Sequence, residues 1–239
     1  MQRPNDTFPY LDERSRFTFP PVESATEEGI VGVGGNLSPG MLLSAYSQGI
    51  FPWYSRGEPI LWWSPDPRFV LFPDELHVPK SLRKTLNKRL FSVSFDSDFE
   101  TVIRRCATIP RPWQSGTWIT EEMIDGYVTL HRLGYAHSVE VYSDARLVGG
   151  LYGVSLGKCF FGESMFADAA DASKVGFVVF VSTAVGHGIE LIDSQVYTDH
   201  LARFGARDIP RCEYLRHLER CLEGETLRGN WGELMTPAY

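Results

Sequence analysis

The C-terminal half of this sequence alternates between strand and helix patterns, and this order constrains the fold more than any other feature. Three segments have the β-branched and aromatic composition of strands, and a long helical pattern and a short apolar strand follow them. The five segments cover residues 138–142, 147–154, 159–166, 169–186 and 191–196. Adjacent strands followed by a helix and another strand are typical of helices packed on one mixed sheet. The sequence therefore predicts an α+β protein.

The long helical segment contains few polar residues, but it is too short to cross a membrane. Its most apolar part, 175–186, includes Ser182 and Thr183, whereas a membrane-spanning helix needs about 20 apolar residues. We interpret the segment as a buried helix. Residues 1–17 are polar and charged and lack the apolar run of a secretory signal peptide. We therefore expect a cytoplasmic protein that does not contact membranes.

The N-terminal part is rich in glycine, proline and tryptophan, and this composition changes near residue 66. One helix is predicted there, with Ser38 as N-cap, Pro39 at the first helical position and Gly49 at its end. Residues 61–68, LWWSPDPR, combine two tryptophans with two prolines, which indicates a rigid connector.

From this change we predict two domains. The first is a small N-terminal α/β domain over residues 1–66, and the second is a C-terminal domain over residues 67–239 that contains the mixed sheet.

The net charge of −7 opposes general binding to nucleic acid, so a polyanionic partner would need a local basic patch. A predicted helix over residues 79–89 provides one candidate. Its five cations are Lys80, Arg83, Lys84, Lys88 and Arg89. The first three share one helical face. This face could contact phosphates or could be an ordinary solvated surface.

Several familiar motifs are incomplete. The Gly32–Gly35 run lacks the third glycine of a dinucleotide loop, because position 37 is Leu37. The GxSxG pattern at 153–157 falls in a predicted β-hairpin, whereas a nucleophile elbow needs a strand followed by a helix. Neither the histidines nor the cysteines have metal-binding spacing, so no metal centre is predicted.

Three polar residues lie within apolar strand patterns. Strand alternation over 191–196 places Asp193 and Gln195 on the same face. Glu163 is a lone acid in the aromatic segment FFGESMF, and acids are rarely buried without a partner or a role. Burying such groups is costly unless they are hydrogen-bonded. They form either a satisfied buried cluster or a functional site.

Seven motifs in the same order make the sequence similar to the bacterial leucyl/phenylalanyl-tRNA-protein transferase family. They are GGNLSP at 34–39, GIFPWYS at 49–55, WWSPDPR at 62–68, GTWIT at 116–120, FFGESMF at 160–166, ASK at 172–174 and Asp193-x-Gln195. The match extends from about residue 18 to residue 221.

The resemblance implies a C-terminal domain with the acetyltransferase-like (GNAT) fold. It also implies transfer of Leu or Phe, and less readily Met, from Leu-tRNA or Phe-tRNA to a protein. The acceptor would be the α-amine of a protein or peptide beginning with Arg or Lys, which is thereby marked for N-degron degradation. No metal or other cofactor takes part in the implied reaction.

The resemblance places Glu163 and the pocket walls in the site, and the chemistry of the implied reaction suggests roles for the other residues. Gln195 would hold or deprotonate the attacking amine, with Asp193 orienting its amide, and Glu163 and Asp193 would bind the acceptor. The walls of an aminoacyl-adenosine pocket would be Tyr46, Trp53, Trp118, Tyr127, Leu151, Phe160 and Phe180. The basic face of Lys80, Arg83, Lys84 and Lys88 would hold the tRNA backbone.

Two other functions fit parts of this pattern. An acyl-CoA-dependent N-acyltransferase would share the fold, but it normally needs an R/Q-x-x-G-x-G/A turn for the pyrophosphate. The best match, Arg146 to Leu151, ends in leucine. A noncatalytic tRNA-binding module would have no use for a cluster of Glu163, Asp193 and Gln195.

Overall fold

Two β-sheets organise the part of the chain that the computed structural model describes, residues 8–109 and 117–239. The strands, numbered in chain order, are β1 Ile30–Val33, β2 Phe51–Pro52, β3 Leu61–Trp63, β4 Arg68–Leu71, β5 Ser92–Phe95, β6 Ala136–Ser143, β7 Arg146–Leu156, β8 Cys159–Ala167, β9 Leu191–Asp193 and β10 Arg207–Ile209. The α-helices are α1 Pro39–Ser47, α2 Lys80–Asn87, α3 Phe99–Thr108, α4 Glu121–Arg132, α5 Ala172–Val185, α6 Asp199–Ala202, α7 Arg211–Leu222 and α8 Trp231–Leu234. The α+β prediction is confirmed.

The N-terminal part forms a small antiparallel sheet in the order β1–β3–β2. The indole Nε1 of Trp62 in β3 donates to the carbonyl of Gly34 at 2.8 Å. The prediction of a connector over residues 61–68 is therefore wrong at both ends, because residues 61–63 form β3 and Arg68 begins β4. The division of the chain at residue 66 stays a prediction.

Helix α1 begins where the sequence predicts, with Ser38 before it and Pro39 as its first residue. The Ser38 hydroxyl does not cap the helix and instead accepts a hydrogen bond from the Leu11 amide at 3.1 Å. Tyr46 is fully buried, and its ring lies 4.9 Å from that of Phe161 in β8. Helix α1 thereby places the Tyr46 hydroxyl next to the large sheet.

The large sheet has seven strands in the order β10–β4–β9–β8–β7–β6–β5. All neighbours are antiparallel except β8 and β9, which are parallel and are connected through α5. Helix α5 packs closely on the sheet: a Cβ added at Gly176 would lie 2.6 Å from a methyl group of Val141. The predicted buried helix is thus central, although it begins at Ala172 rather than at residue 169.

One detail of the predicted strands agrees with the structure and one differs from it. The hairpin between β7 and β8 turns at Gly157, which has φ +54°, as the sequence predicts. The strand predicted over 191–196 ends at Asp193, because Gln195 has φ +59° and cannot continue an extended strand. No helix within residues 8–109 and 117–239 is long and apolar enough to cross a bilayer.

Candidate active site

A cavity of about 650 Å³ opens where the two parallel strands of the large sheet separate. The pairing of β8 with β9 ends at Phe161 and Asp193, after which β8 continues to Ala167 beside β7 alone. The free edge of β8 and the turn after β9 form two walls, and α5 contributes Ser173 and Phe177. This volume is in the usual range for small-molecule sites.

Glu163 points into the cavity because β8 contains an extra residue at this point. Tyr152 of β7 pairs with Ser164 and Gly153 pairs with Gly162, so Glu163 has no partner across the strands. This arrangement is a β-bulge, which changes the direction of a side chain and is common beside active sites. It also lets Phe160 and Glu163 line one cavity, although simple alternation would place residues three apart on opposite faces.

Three neutral donors surround the Glu163 carboxylate. The Tyr46 hydroxyl donates to Oε1 at 2.7 Å, the Tyr127 hydroxyl donates to Oε2 at 3.0 Å, and the side-chain amide of Gln195 donates to Oε1 at 3.1 Å. Burial raises the pKa of Glu163 to about 7, although the two hydroxyls act to lower it. The carboxyl group can therefore exist in both protonation states near neutral pH.

Gln195 is held by a sharp turn rather than by a strand. Asp193 Oδ1 accepts from the backbone amide of Gln195 at 2.9 Å, and the amide of Val196 donates to the carbonyl of Ser194 at 2.7 Å. The strand alternation expected for Asp193 and Gln195 is thus wrong. Asp193 fixes the backbone of Gln195, whereas Glu163 accepts from its side-chain amide. The side-chain oxygen of Gln195 is left to accept from a bound molecule.

Asp193 lies behind the cavity wall in a buried ion pair. The Arg68 guanidinium donates from Nε to Oδ1 at 2.8 Å and from Nη2 to Oδ2 at 2.7 Å, and both side chains are fully buried. The Tyr214 hydroxyl donates to Oδ2 at 2.8 Å. The Arg68 guanidinium also lies 4.8 Å from the ring centre of Phe51 and 4.6 Å from that of Tyr214. The expected direct contact of Asp193 with an acceptor has no support in this geometry, because other groups occupy both oxygens.

Four of the seven residues assigned to the aminoacyl-adenosine pocket line the cavity, namely Trp53, Trp118, Leu151 and Phe160. The other three lie one layer behind it. Tyr46 and Tyr127 do not line the cavity, but the hydroxyls of both donate to Glu163, which does. Phe180 packs behind Phe160 with 4.5 Å between the ring centres. In the motif at 116–120, Gly116 lies outside the described residues.

Sequence reasoning missed several residues of the site. Phe177 and Ile192 line the cavity, and Arg68 holds Asp193. Phe177 lies three positions before Phe180 on α5, so helical spacing could have suggested it. Arg68 stands 125 residues before Asp193, and no spacing rule connects two residues that far apart.

The basic residues of α2 lie on an exposed surface. Lys80, Arg83, Lys84, Lys88 and the following Arg89 all face solvent. The Thr85 hydroxyl donates to Asp171 Oδ2 at 3.5 Å, which places α2 beside the N-terminal end of α5. That end of α5 carries Ser173, a residue of the cavity wall. The basic surface and this part of the cavity wall therefore both lie at the N-terminal end of α5.

The two motifs that would indicate an acyl-CoA enzyme or a serine hydrolase do not have the geometry that those functions need. Residues 146–151, the nearest match to a pyrophosphate turn, lie inside β7, and residues 149–151 pair with both β6 and β8. Ser155 of the GxSxG pattern is also inside β7 and fully buried. Within residues 8–109 and 117–239, no group of three or more His, Cys, Asp or Glu side chains could hold a metal ion.

Comparison with known proteins agrees with the motifs. The model of the leucyl/phenylalanyl-tRNA protein transferase family matches residues 70–219, and that of its N-terminal domain matches residues 35–66. The chain is 59% identical over 215 residues to the leucyl/phenylalanyl-tRNA--protein transferase of Myxococcus xanthus (strain DK1622), covering 90% of this chain and 92% of the relative. It is 60% identical over 213 residues to the protein of the same name from Anaeromyxobacter sp. (strain K), covering 89% and 91%.

One similar solved structure is a GCN5-related N-acetyltransferase from Kribbella flavida. It is 11% identical, with a TM-score of 0.35 over 72% of this chain and 61% of that one. Membership of a family follows from the sequence matches, which are far stronger than this structural likeness. They confirm the resemblance seen in the motifs: the chain belongs to the leucyl/phenylalanyl-tRNA protein transferase family.

Proposed function

We propose that the protein transfers leucine or phenylalanine from an aminoacyl-tRNA to the α-amine of a protein that begins with Arg or Lys. The observation that carries this proposal is the group of Glu163, Gln195, Tyr46 and Tyr127 at one end of an apolar cavity. Family membership supports the same reaction. In the cell, the transfer would take place in the cytoplasm and mark the acceptor for N-degron degradation.

The apolar walls suit the side chain of the transferred amino acid. Leu151, Phe160 and Ile192 are nearly fully buried and line the cavity. Burial of a Leu or Phe side chain in such a pocket contributes about 1.5–3 kcal/mol. Trp53 and Trp118 line the same cavity, and Trp53 is 38% exposed. An exposed aromatic face can stack on the terminal adenine of the tRNA.

The proposed reaction is aminolysis of an activated ester. The amine nitrogen attacks the carbonyl carbon, a C–N bond forms, and the C–O bond to the ribose oxygen breaks. The amine loses one proton and the ribose oxygen gains one. Because an α-amine has a pKa of about 7.7–8.0, part of it is already neutral at cytoplasmic pH. Holding the two reactants together therefore supplies much of the rate acceleration.

The geometry divides this work between Gln195 and Glu163. The Gln195 amide donates its N–H to Glu163, so its oxygen can accept from the attacking amine and orient it. An amide is too weak a base to take the proton. Glu163, whose pKa of about 7 lies close to that of the amine, can receive the proton and pass it on.

An acidic side chain in the cavity and a basic surface outside it serve the two substrates. Before it receives a proton, the ionised Glu163 carboxylate favours acceptors whose first residue is Arg or Lys, because in that state it can form charge-assisted hydrogen bonds with a nearby cation. The basic residues Lys80, Arg83, Lys84 and Lys88 serve the tRNA, and α2 connects them to the cavity through α5. Phosphate contacts of this kind do not depend on nucleotide sequence.

The direct test uses tRNA charged with labelled leucine and a peptide that begins with Arg. The same peptide with an acetylated N-terminus is the matched control. We expect label on the free peptide alone. Label on neither peptide, together with product formation from acetyl-CoA, would refute the proposal in favour of an acyl-CoA-dependent enzyme.

A further inference from the structure

The floor of the cavity is supported from behind by the C-terminal segment of the chain. Trp231, the first residue of α8, is fully buried. Its ring centre lies 5.8 Å from that of Phe160 and 6.0 Å from that of Phe180. Phe160 lines the cavity, whereas Trp231 and Phe180 do not. Trp231 is therefore a second layer behind a residue of the proposed aminoacyl pocket.

A buried polar anchor holds Trp231 in place. Its backbone amide donates to Asp96 Oδ2 at 2.8 Å, and its ring stacks on that of His137 with 3.8 Å between centres and 3° between planes. His137 Nδ1 lies 2.8 Å from the same Asp96 oxygen. Asp96 Oδ1 accepts from the amide of Ser138 at 2.8 Å. These contacts connect α8 to β6, deep inside the protein.

The rest of the segment is attached to neighbouring elements. The Trp231 indole donates to the carbonyl of Leu227 at 2.9 Å, the Ala238 amide donates to the Thr183 hydroxyl at 2.9 Å, and the Tyr239 hydroxyl donates to the carbonyl of Phe91 at 2.8 Å. Thr183 lies on α5, three positions after Phe180. The segment thus packs on the same helix that forms one cavity wall.

The backbone beside the Phe160 ring is closely packed as well. A Cβ added at Gly153 would lie 2.5 Å from the ring, so only a glycine fits at that point. The Phe160 ring is in contact with Gly153 and with the Trp231 and Phe180 rings, and it also lines the cavity. A smaller side chain at either supporting position opens space into which the Phe160 ring can move away from the cavity.

We infer that Trp231 is a positioning residue that sets the depth of the aminoacyl pocket and thereby the choice between amino acids. This inference rests on the proposed function of the cavity. A smaller side chain at position 231 leaves space behind Phe160, and cores collapse only in part around such space. The Phe160 ring then moves back, the pocket deepens, and large amino acids gain relative to small ones.

The test is a competition between tRNAs charged with leucine, phenylalanine or tryptophan for one peptide that begins with Arg. In Trp231→Phe and Trp231→Leu we expect the ratio of kcat/KM for phenylalanine to that for leucine to rise about tenfold, which is the lower end of the discrimination that one methylene group gives in an apolar pocket. We also expect measurable transfer of tryptophan. Trp231→Phe keeps an aromatic ring, so it provides the comparison if Trp231→Leu does not fold.

The matched control is Met235→Ala. Met235 is buried in the same segment but is not part of the aromatic stack. This change should lower thermal stability without altering the selectivity ratio. A wild-type protein that transfers nothing would refute the proposed function itself. Active, folded Trp231 variants with an unchanged ratio, or an equal change of ratio in Met235→Ala, would overturn the inference.

Discussion

Replacing Glu163 by glutamine tests the central electrostatic feature of the site. Burial raises the pKa of Glu163 from 4.5 to about 7, so the folded protein holds this proton more tightly than the unfolded chain. Its stabilising effect is complete below pH 4.5 and is lost as the pH rises to 7 and above. Each pH unit between these values is worth about 1.4 kcal/mol, which gives about 3 kcal/mol in total. Glu163→Gln has no such charge to bury.

The free energy of unfolding of both proteins should therefore be measured by urea denaturation from pH 5 to pH 9. We expect the stability of Glu163→Gln relative to the wild type to increase by about 3 kcal/mol over this range and to level off above pH 8. A constant loss of hydrogen bonding to Tyr46 or Tyr127 would shift the whole curve without changing its shape. Glu219→Gln on the exposed face of α7 provides the same chemical change without burial. A pH-independent difference for Glu163→Gln would refute the reasoning.

Three further predictions test other parts of the site. Gln195→Ala should lower kcat about 100-fold, a loss typical of removing one preorganised hydrogen-bonding group from an active site. Filter binding should show unchanged affinity for charged tRNA, and unchanged turnover would remove Gln195 from the mechanism. Arg68→Met should cost about 3–5 kcal/mol in urea unfolding because it leaves Asp193 buried without a counter-ion. Arg104→Met, which removes an exposed pair with Glu100, should cost much less, and equal losses would contradict this reasoning. Lys84→Ala should reduce the slope of log Kd for tRNA against log salt concentration by about 1. The control Lys158→Ala, which removes a cation paired with Glu190, should leave this slope unchanged. A flat salt response in the wild type would exclude the phosphate contacts.

Local patterns predict most of the fold because they depend on residues close together in the sequence. The hairpin at Gly157 and the buried helix α5 follow from turn chemistry and apolar composition. The end of β9 does not, since the left-handed conformation of Gln195 depends on the bond between its amide and Asp193. An apolar pattern alone would continue that strand to residue 196.

The site could be predicted only in part for a similar reason. Glu163 is conspicuous as an acid among aromatics, but its direction depends on a bulge that appears only when β7 and β8 pair. Tyr46 and Tyr127 stand 117 and 36 residues away from it. Their hydroxyls meet its carboxylate only after α1 and α4 have packed on the sheet. Such contacts are properties of tertiary structure and have no local signal.

The surroundings of the two carboxylates suit the different tasks that we propose for them. Asp193 faces a guanidinium through two charge-assisted hydrogen bonds and is sealed from solvent. It orders the turn that carries Gln195 by accepting a hydrogen bond from the backbone amide of that residue. Glu163 has only neutral donors, and the charge of Asp193 further raises its pKa. A group that must take and return a proton near pH 7 needs this second kind of environment. The ion pair with Arg68 therefore suits Asp193 to holding the turn, whereas the neutral donors around Glu163 suit that residue to the proton transfer that we propose.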